Sequence, residues 1–170
     1  MLYTFRTMAS PVGDLKLVAK GARLAAILWE NDKPNRVRLG PLLDQPDTDV
    51  LVRAEQQLTE YFAGQRRQFE LDLDFTGTDF QKQVWQALLT IPFGETRSYR
   101  DIARQIGNET AVRAVGAANG RNPISIIAPC HRVIGASGAL TGFAGGLAAK
   151  QLLLRLEGCE WVGSRQLTLC

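Results

Sequence analysis

Pro129-Cys130-His131-Arg132-Val133 sets the only histidine of the chain directly after a cysteine. A thiol reacts as the thiolate, and an adjacent imidazole is a common means of producing one. The preceding run, Ile124-Ser125-Ile126-Ile127-Ala128, is almost wholly apolar, which puts the thiol at the end of a buried segment. Pro129 removes a backbone donor and fixes the local turn, and Gly135, Gly142, Gly145 and Gly146 follow in loops. These residue types suit nucleophilic chemistry on cysteine. The pair alone proves little: free cysteines are commonly buried for packing, and neighbours along a strand point to opposite faces.

A third group has to come from elsewhere in the chain. Glu157 ends a helix spanning about Leu147 to Glu157, where a negative charge opposes the macrodipole and calls for a cationic or donor partner. A relay Cys130–His131–Glu157 would orient the imidazole and favour the thiolate; a surface acid is the plainer alternative. Asn122, in the turn Gly120-Arg121-Asn122-Pro123 that leads into the apolar run, can brace that loop by side-chain to backbone bonds.

The whole chain sets the bounds. At 170 residues it forms one domain or two small ones, with 45% hydrophobic content for a normal core. No apolar run approaches a membrane span, and the N-terminus lacks a signal-peptide pattern. Three widely spaced cysteines make no disulfide framework, and a reducing cytoplasm fits them best. One histidine without Cys-x-x-Cys spacing argues against a zinc site. The net charge of +3 is uneven. Residues 1–75 carry 10 Lys/Arg against 11 Asp/Glu, whereas residues 76–146 carry 7 against 4. That middle excess permits a polyanionic partner without requiring one.

Periodicity then predicts the elements. Tyr3 to Met8, Leu15 to Lys20 and Leu24 to Trp29 read as three strands of an antiparallel meander. Residues 31–48, with Pro34, Pro41 and Pro46, read mainly as loop. Leu51, Ala54, Leu58, Tyr61 and Phe62 mark a helical face over Val50 to Phe62, stopped by Ala63-Gly64. Phe69, Leu71, Leu73 and Phe75 alternate with polar residues and predict a further strand. Thr76-Gly77 reads as a boundary between a structural module, 1–75, and the segment 76–170 that carries the chemistry.

Beyond it, Thr78 with Gln81 and Ser98 with Asp101 form capping boxes. The first opens a helix ending before Pro92, the second a short helix closed by Gly107. A following helix, Thr110 to Asn119, completes a helix-turn-helix. It contains Ala111, Ala114, Gly116, Ala117 and Ala118, with Arg113 as its one long side chain. A base-reading helix carries several polar side chains. Small residues instead suit close approach to a backbone or narrow groove, with the arginine free to enter a duplex in place of a displaced base. Tight packing in a core is the competing use of such residues.

The motifs together resemble the O6-alkylguanine-DNA alkyltransferase family. The resemblance rests on Pro129-Cys130-His131-Arg132-Val133, Arg113-Ala114-Val115-Gly116-Ala117, Gly120-Arg121-Asn122-Pro123, Gly142-Phe143-Ala144-Gly145-Gly146 and Leu156-Glu157-Gly158. Thr78-Asp79-Phe80 to Trp85 and Ile91-Pro92-Phe93-Gly94-Glu95 also fit. It covers about residues 76–158 and is mostly architectural before them. It implies an α/β chain of the α+β kind. The N-terminal part is expected to be a ribonuclease-H-like antiparallel sheet with a helix, and the C-terminal part mostly helical with the helix-turn-helix.

The function implied is direct-reversal DNA repair, with irreversible single-turnover transfer of an alkyl group from O6-alkylguanine to Cys130 after base flipping. The resemblance assigns His131 as base through a water, Glu157 as its orienting group and Asn122 as the brace of the turn. Tyr99 would contact the extruded base and the nearby phosphate. Arg113 would fill the gap in the stack, on a helix whose Ala114 and Gly116 allow close approach. Val133, with Cys130, would read the exocyclic amine, and Phe143 and Ala144 would wall the pocket. No metal and no organic cofactor are implied. The partner implied is double-stranded DNA containing O6-alkylguanine, with no membrane, for a cytoplasmic protein that is a monomer in solution. Activity on O4-alkylthymine and cooperative binding along DNA are left open. Phe143 stands where relatives commonly carry Tyr, which removes a hydroxyl from the wall, and the zinc ligands of some relatives are absent. Cys159 reads as packing and Cys170 as an exposed tail.

Three rivals give different outcomes. A damage-flagging relative lacks the acceptor cysteine, which this chain has. A sequence-specific transcription factor conflicts with the small-residue helix, and a cysteine hydrolase would turn over repeatedly.

Overall fold

The computed structural model describes residues 2–135, 143–161 and 168–169, so Gly142 and Cys170 lie outside the described residues. The chain divides into two compact units: residues up to Thr76 together with Pro123–Ser125, and Gly77–Asn122 together with the chain from Ile126 onward.

In the first unit, β1 (Tyr3–Met8), β2 (Leu15–Lys20) and β3 (Arg23–Trp29) form the expected antiparallel meander, with Tyr3 opposite Lys20 and Leu15 opposite Trp29. A fourth strand, β4 (Leu42–Asp44), runs parallel to β1, so the sheet is mixed, in the order β3-β2-β1-β4. The polar segment 31–48 is therefore not loop throughout. Three residues after Pro41 suffice for an edge pairing too short to leave a periodic signal. Helix α1 (Asp49–Phe62) buries Val50, Leu51, Ala54, Leu58 and Tyr61. Each such leucine stabilises the unit by roughly 1.5–3 kcal/mol relative to exposure.

The strand expected at 69–75 is not formed. Only Leu73 bridges to β3, at Leu24, through Leu24 N–H to Asp72 O (2.9 Å) and Asp74 N–H to Leu24 O (2.8 Å). Upstream, the Gln57 side chain takes the place of a neighbouring strand. Its Oε1 accepts from Glu70 N–H (2.8 Å), and its Nε2 donates to Glu70 O (3.1 Å). Pro123–Ser125 covers more of the same β3 edge: Ile27 N–H donates to Pro123 O (2.9 Å), and the Trp29 indole donates to Ser125 Oγ (3.2 Å).

In the second unit, both capping boxes are present, opening α2 (Asp79–Leu88) and α3 (Tyr99–Gln105). Gly107, at φ +76°, ends the turn after α3, a conformation that costs glycine little. Helix α4 (Val112–Gly120) completes the helix-turn-helix. The Trp85 indole on α2 donates to Ala118 O of α4 at 2.8 Å, and a Cβ on Gly77 would lie 2.7 Å from that ring, so the ring position requires glycine. A one-turn 3-10 segment, Cys130–Arg132, then leads into β6 (Val133–Ile134), which pairs parallel with β5 (Arg97–Ser98). Helix α5 (Leu147–Leu156) follows, and β7 (Glu160–Trp161) pairs antiparallel with β8 (Thr168–Leu169). Cys159 is buried, as expected for packing. Among the described residues, no helix is long and apolar enough to cross a membrane, and no group of three or more His, Cys, Asp or Glu is placed to hold a metal ion.

Candidate active site

The apolar run ends where expected: every residue from Asn122 to Ile134 is buried. Asn122 has no exposed surface, and its Nδ2 donates to Ala128 O at 2.7 Å, closing the loop that delivers Cys130. Within that loop Ile126 adopts φ +76°, a conformation rare for a β-branched residue. Cys130 N–H donates to Ala128 O (2.8 Å) and Arg132 N–H to Pro129 O (2.9 Å), which tightens the turn around the thiol. Cys130 is outside any disulfide and 3% exposed.

His131 and Glu157 meet at 2.7 Å, Nε2 to Oε2, with both side chains fully buried. Glu157 caps the C-terminal end of α5, where carbonyls rather than N–H groups face it, so its anion depends on side-chain donors. Arg132 supplies them. Its Nε donates to Oε1 at 2.7 Å and its Nη2 to Oε2 at 3.0 Å, while Nη1 donates to Ile91 O at 2.6 Å. Burial alone would raise the carboxyl, but the contacts and charges of His131 and Arg132 outweigh it and hold Glu157 at about 2. Burial pushes His131 the other way for a cation, below its ordinary value. Glu157 opposes that shift, and Arg132 and Lys150 reinforce it. A carboxylate can only accept, so neutral His131 carries its proton on Nε2. Nδ1 is then a buried lone pair that accepts from no group among the described residues.

Lys150 lies on the buried face of α5 with no exposed surface. Its Nζ donates to Val133 O at 2.7 Å and sits 5.9 Å from the centroid of the Phe143 ring. It pairs with no carboxylate among the described residues. Burial lowers its pKa to about 8, against the pull of the Cys130 charge. Arg132 and Lys150 thus bring two positive charges against one negative charge from Glu157. With His131 neutral, a thiolate at Cys130 would bring the charges of this set into balance.

The remaining predicted residues fall in two groups. Tyr99 opens α3 half-buried, and its ring lies beside Gly116, whose added Cβ would come within 3.9 Å of it. Arg113 and Ala114 are exposed on α4, together with Ala117, Gly120 and Arg121, while Val115, Ala118 and Asn119 face the core. The outer face of α4 is therefore small side chains flanked by arginine. Phe143 and Ala144 are half-buried in the turn before α5, with Gly146 N–H donating to Phe143 O at 2.9 Å.

Sequence reasoning missed two residues of the cluster, Arg132 and Lys150. Arg132 enters the sequence reading only as middle-segment charge and as a member of the Pro129–Val133 motif, with no role of its own. Lys150 had a readable signal, since it falls three residues before Leu153 and four before Leu154, on the apolar stripe of α5.

Models of two domains match nearly the whole chain: the 6-O-methylguanine DNA methyltransferase ribonuclease-like domain over residues 1–75, and its DNA binding domain over residues 79–159. The methylated-DNA–protein-cysteine methyltransferase of Mycobacterium bovis is 52% identical over 155 residues, covering 90% of this chain and 91% of its own. That of Methanosarcina acetivorans is 61% identical over 154 residues, covering 88% and 94%. The crystal structure of Mycobacterium tuberculosis OGT in complex with DNA superposes with a TM-score of 0.85 at 50% identity, covering 91% of this chain and 93% of that one.

Proposed function

The chain belongs to the 6-O-methylguanine DNA methyltransferase family, and on that premise we propose that it repairs O6-alkylguanine in duplex DNA by moving the alkyl group to its own Cys130. The observation that carries this reading is the buried thiol of Cys130 next to an imidazole whose Nε2 is fixed on Glu157 at 2.7 Å and whose Nδ1 is left as a lone pair. His131, through a water, takes the thiol proton. The Sγ attacks the alkyl carbon, the S–C bond forms and the C–O6 bond breaks, and guanine leaves as an anion that takes up the proton released by His131 through water, which restores the neutral imidazole. Atoms and charge balance without a co-reactant. The thioether is stable, so each molecule acts once, and neither a metal nor an organic cofactor has a step to perform.

The target atom is hidden inside the duplex, so the nucleotide must be extruded, at a cost of a few kcal/mol. The exposed face of α4 suits extrusion. Ala114, Ala117 and Gly120 let backbone approach backbone, and Arg113 is the side chain long enough to fill the vacated stack. Tyr99 would hold the flipped base and its phosphate, and Phe143 and Ala144 would wall it. Val133 would accept from the exocyclic amine with the lone pair that Lys150 leaves available. Residues 1–75 would serve as the structural module of a monomer, and residues 76–170 would carry DNA binding and transfer.

Intact mass tests the reading. The protein is mixed with duplex DNA containing one O6-methylguanine, beside the Cys130→Ser variant. One added methyl group per protein, mapped to Cys130 and absent from the variant, is expected. Lesion-selective binding without a mass change would overturn the transfer.

A further inference from the structure

We propose that Arg132 is a positioning residue for the transfer, acting through Glu157: by gripping both carboxylate oxygens it fixes the one contact that aims the His131 ring and leaves that ring an uncharged base. This rests on the transfer reading. The guanidinium is a planar fork, and here three of its nitrogens are committed, two to the carboxylate at 2.7 and 3.0 Å and one to Ile91 O at 2.6 Å. Its carbon lies 5.9 Å from the Phe93 ring centroid, so the fork is also flanked by the loop after α2. Ile91 is itself buried, which makes the anchor a rigid one.

The electrostatic consequence follows from what faces the imidazole. The ionisable groups around it are Cys130 before it, Arg132 after it, Lys150 on α5 and Glu157 at the end of α5. A buried carboxylate with imidazole as its only donor would draw a second proton onto the ring, because two opposite charges bury more easily than one. Arg132 already compensates Glu157. A charged His131 would then confront two cations, Arg132 and Lys150, against a single anion. The ring therefore stays neutral, with Nδ1 available to accept from Cys130 through a water. An arginine is suited to this because it cannot give up its own proton to the relay.

Because the chain has a single histidine, protein labelled with nitrogen-15 histidine yields one imidazole spectrum, and its titration can be followed in the wild type, Arg132→Gln and Arg132→Lys. In Arg132→Gln the ring should acquire its second proton at a pH higher by roughly one unit. The rate of methyl transfer from O6-methylguanine duplex should then fall roughly tenfold on the acid limb, below both ring titrations, and much less at neutral pH, with that limb displaced by the same interval. Arg132→Lys, which keeps the charge and loses the fork, should fall between. A ring titration and acid limb unmoved in folded Arg132→Gln, with a rate loss uniform in pH, would reduce Arg132 to a packing role. If Arg132→Gln does not fold, Arg132→Lys decides by the same two readouts. The ring titration stands apart from transfer, so a wild type that transfers nothing would overturn the function while this test of Arg132 still gives its answer.

Discussion

The two units differ in how deeply they bury charge. Apart from Arg36–Asp32, whose side chains are 8% and 13% exposed, the ion pairs of the first lie at or near the surface among the described residues, as in Arg53–Asp49, where the Asp49 side chain is 87% exposed, and in Arg6–Glu55 and Arg66–Glu60. Such pairs contribute about 0–1 kcal/mol, because water screens them and two long side chains must be held still. The second unit buries His131, Arg132, Lys150 and Glu157 together. Burying each ion costs several kcal/mol before pairing offsets it. Apolar residues of similar size would stabilise that unit at least as well. What the buried set supplies instead is a fixed tautomer, an open Nδ1 and an excess of positive charge beside the thiol.

Four substitutions probe the contrast. Glu157→Ala should have the largest effect, because it leaves Arg132 and His131 buried without their anion. Urea unfolding should show a loss of about 3–5 kcal/mol, and transfer should cease. The wild type also has an acid signature. Glu157 and His131 both bind their protons less tightly when folded than when unfolded. Their contribution is therefore complete above the histidine range and is lost as pH falls, for Glu157 down to about 2. The variant should lack the part below the unfolded carboxylate pKa.

Lys150→Met keeps the length of the side chain and removes an ammonium that meets no carboxylate among the described residues. Thermal or urea unfolding at pH 7 should show a gain of roughly 1–3 kcal/mol, together with slower transfer. The sign with pH is opposite to the habit for a paired lysine. The folded pKa, about 8, lies below the unfolded value, so the native state gains stability as pH rises above it. The difference curve between wild type and variant should show that gain, and a flat difference would remove the cost assigned to the buried charge.

Arg113→Ala tests the exposed face of α4. Transfer from duplex DNA should slow about tenfold, equivalent to about 1.4 kcal/mol of barrier, while reaction with free alkylguanine keeps its rate. Equal losses on both substrates would remove the role in extrusion. Arg53→Ala should change least, within about 0.5 kcal/mol in urea, with transfer untouched. A larger loss would show that the surface pairs of the first unit matter more than their exposure implies.

Features carried by neighbours in sequence were the legible ones. The capping boxes at Thr78/Gln81 and Ser98/Asp101 declare themselves within four residues, and α1 shows its stripe over fourteen. The charge of Glu157 at a helix C-terminus announced an unmet need for a donor, and that need pointed toward His131. Alternation at 69–75 was a weaker guide. It says which side chains face inward but not what satisfies the backbone, and here a glutamine on α1 does so at Glu70. The parallel β4 was hidden by its length. Arg132 and Lys150 were hidden by a default, that arginine and lysine belong to water. Only the spacing of Lys150 within the apolar stripe of α5 contradicts it.

The three-residue return of Pro123–Ser125 to the first unit bears on how this protein can be dissected. A fragment that starts at Gly77 would carry Ile124, wholly buried in the intact chain, out into solvent on the very loop that delivers Cys130. A fragment that stops at Thr76 would leave Ile27 N–H on the β3 edge without its acceptor, an open edge of the kind that seeks another strand. Neither half is cleanly separable at the boundary its sequence suggests, and truncation series or fusion junctions are better placed at the termini than between the units.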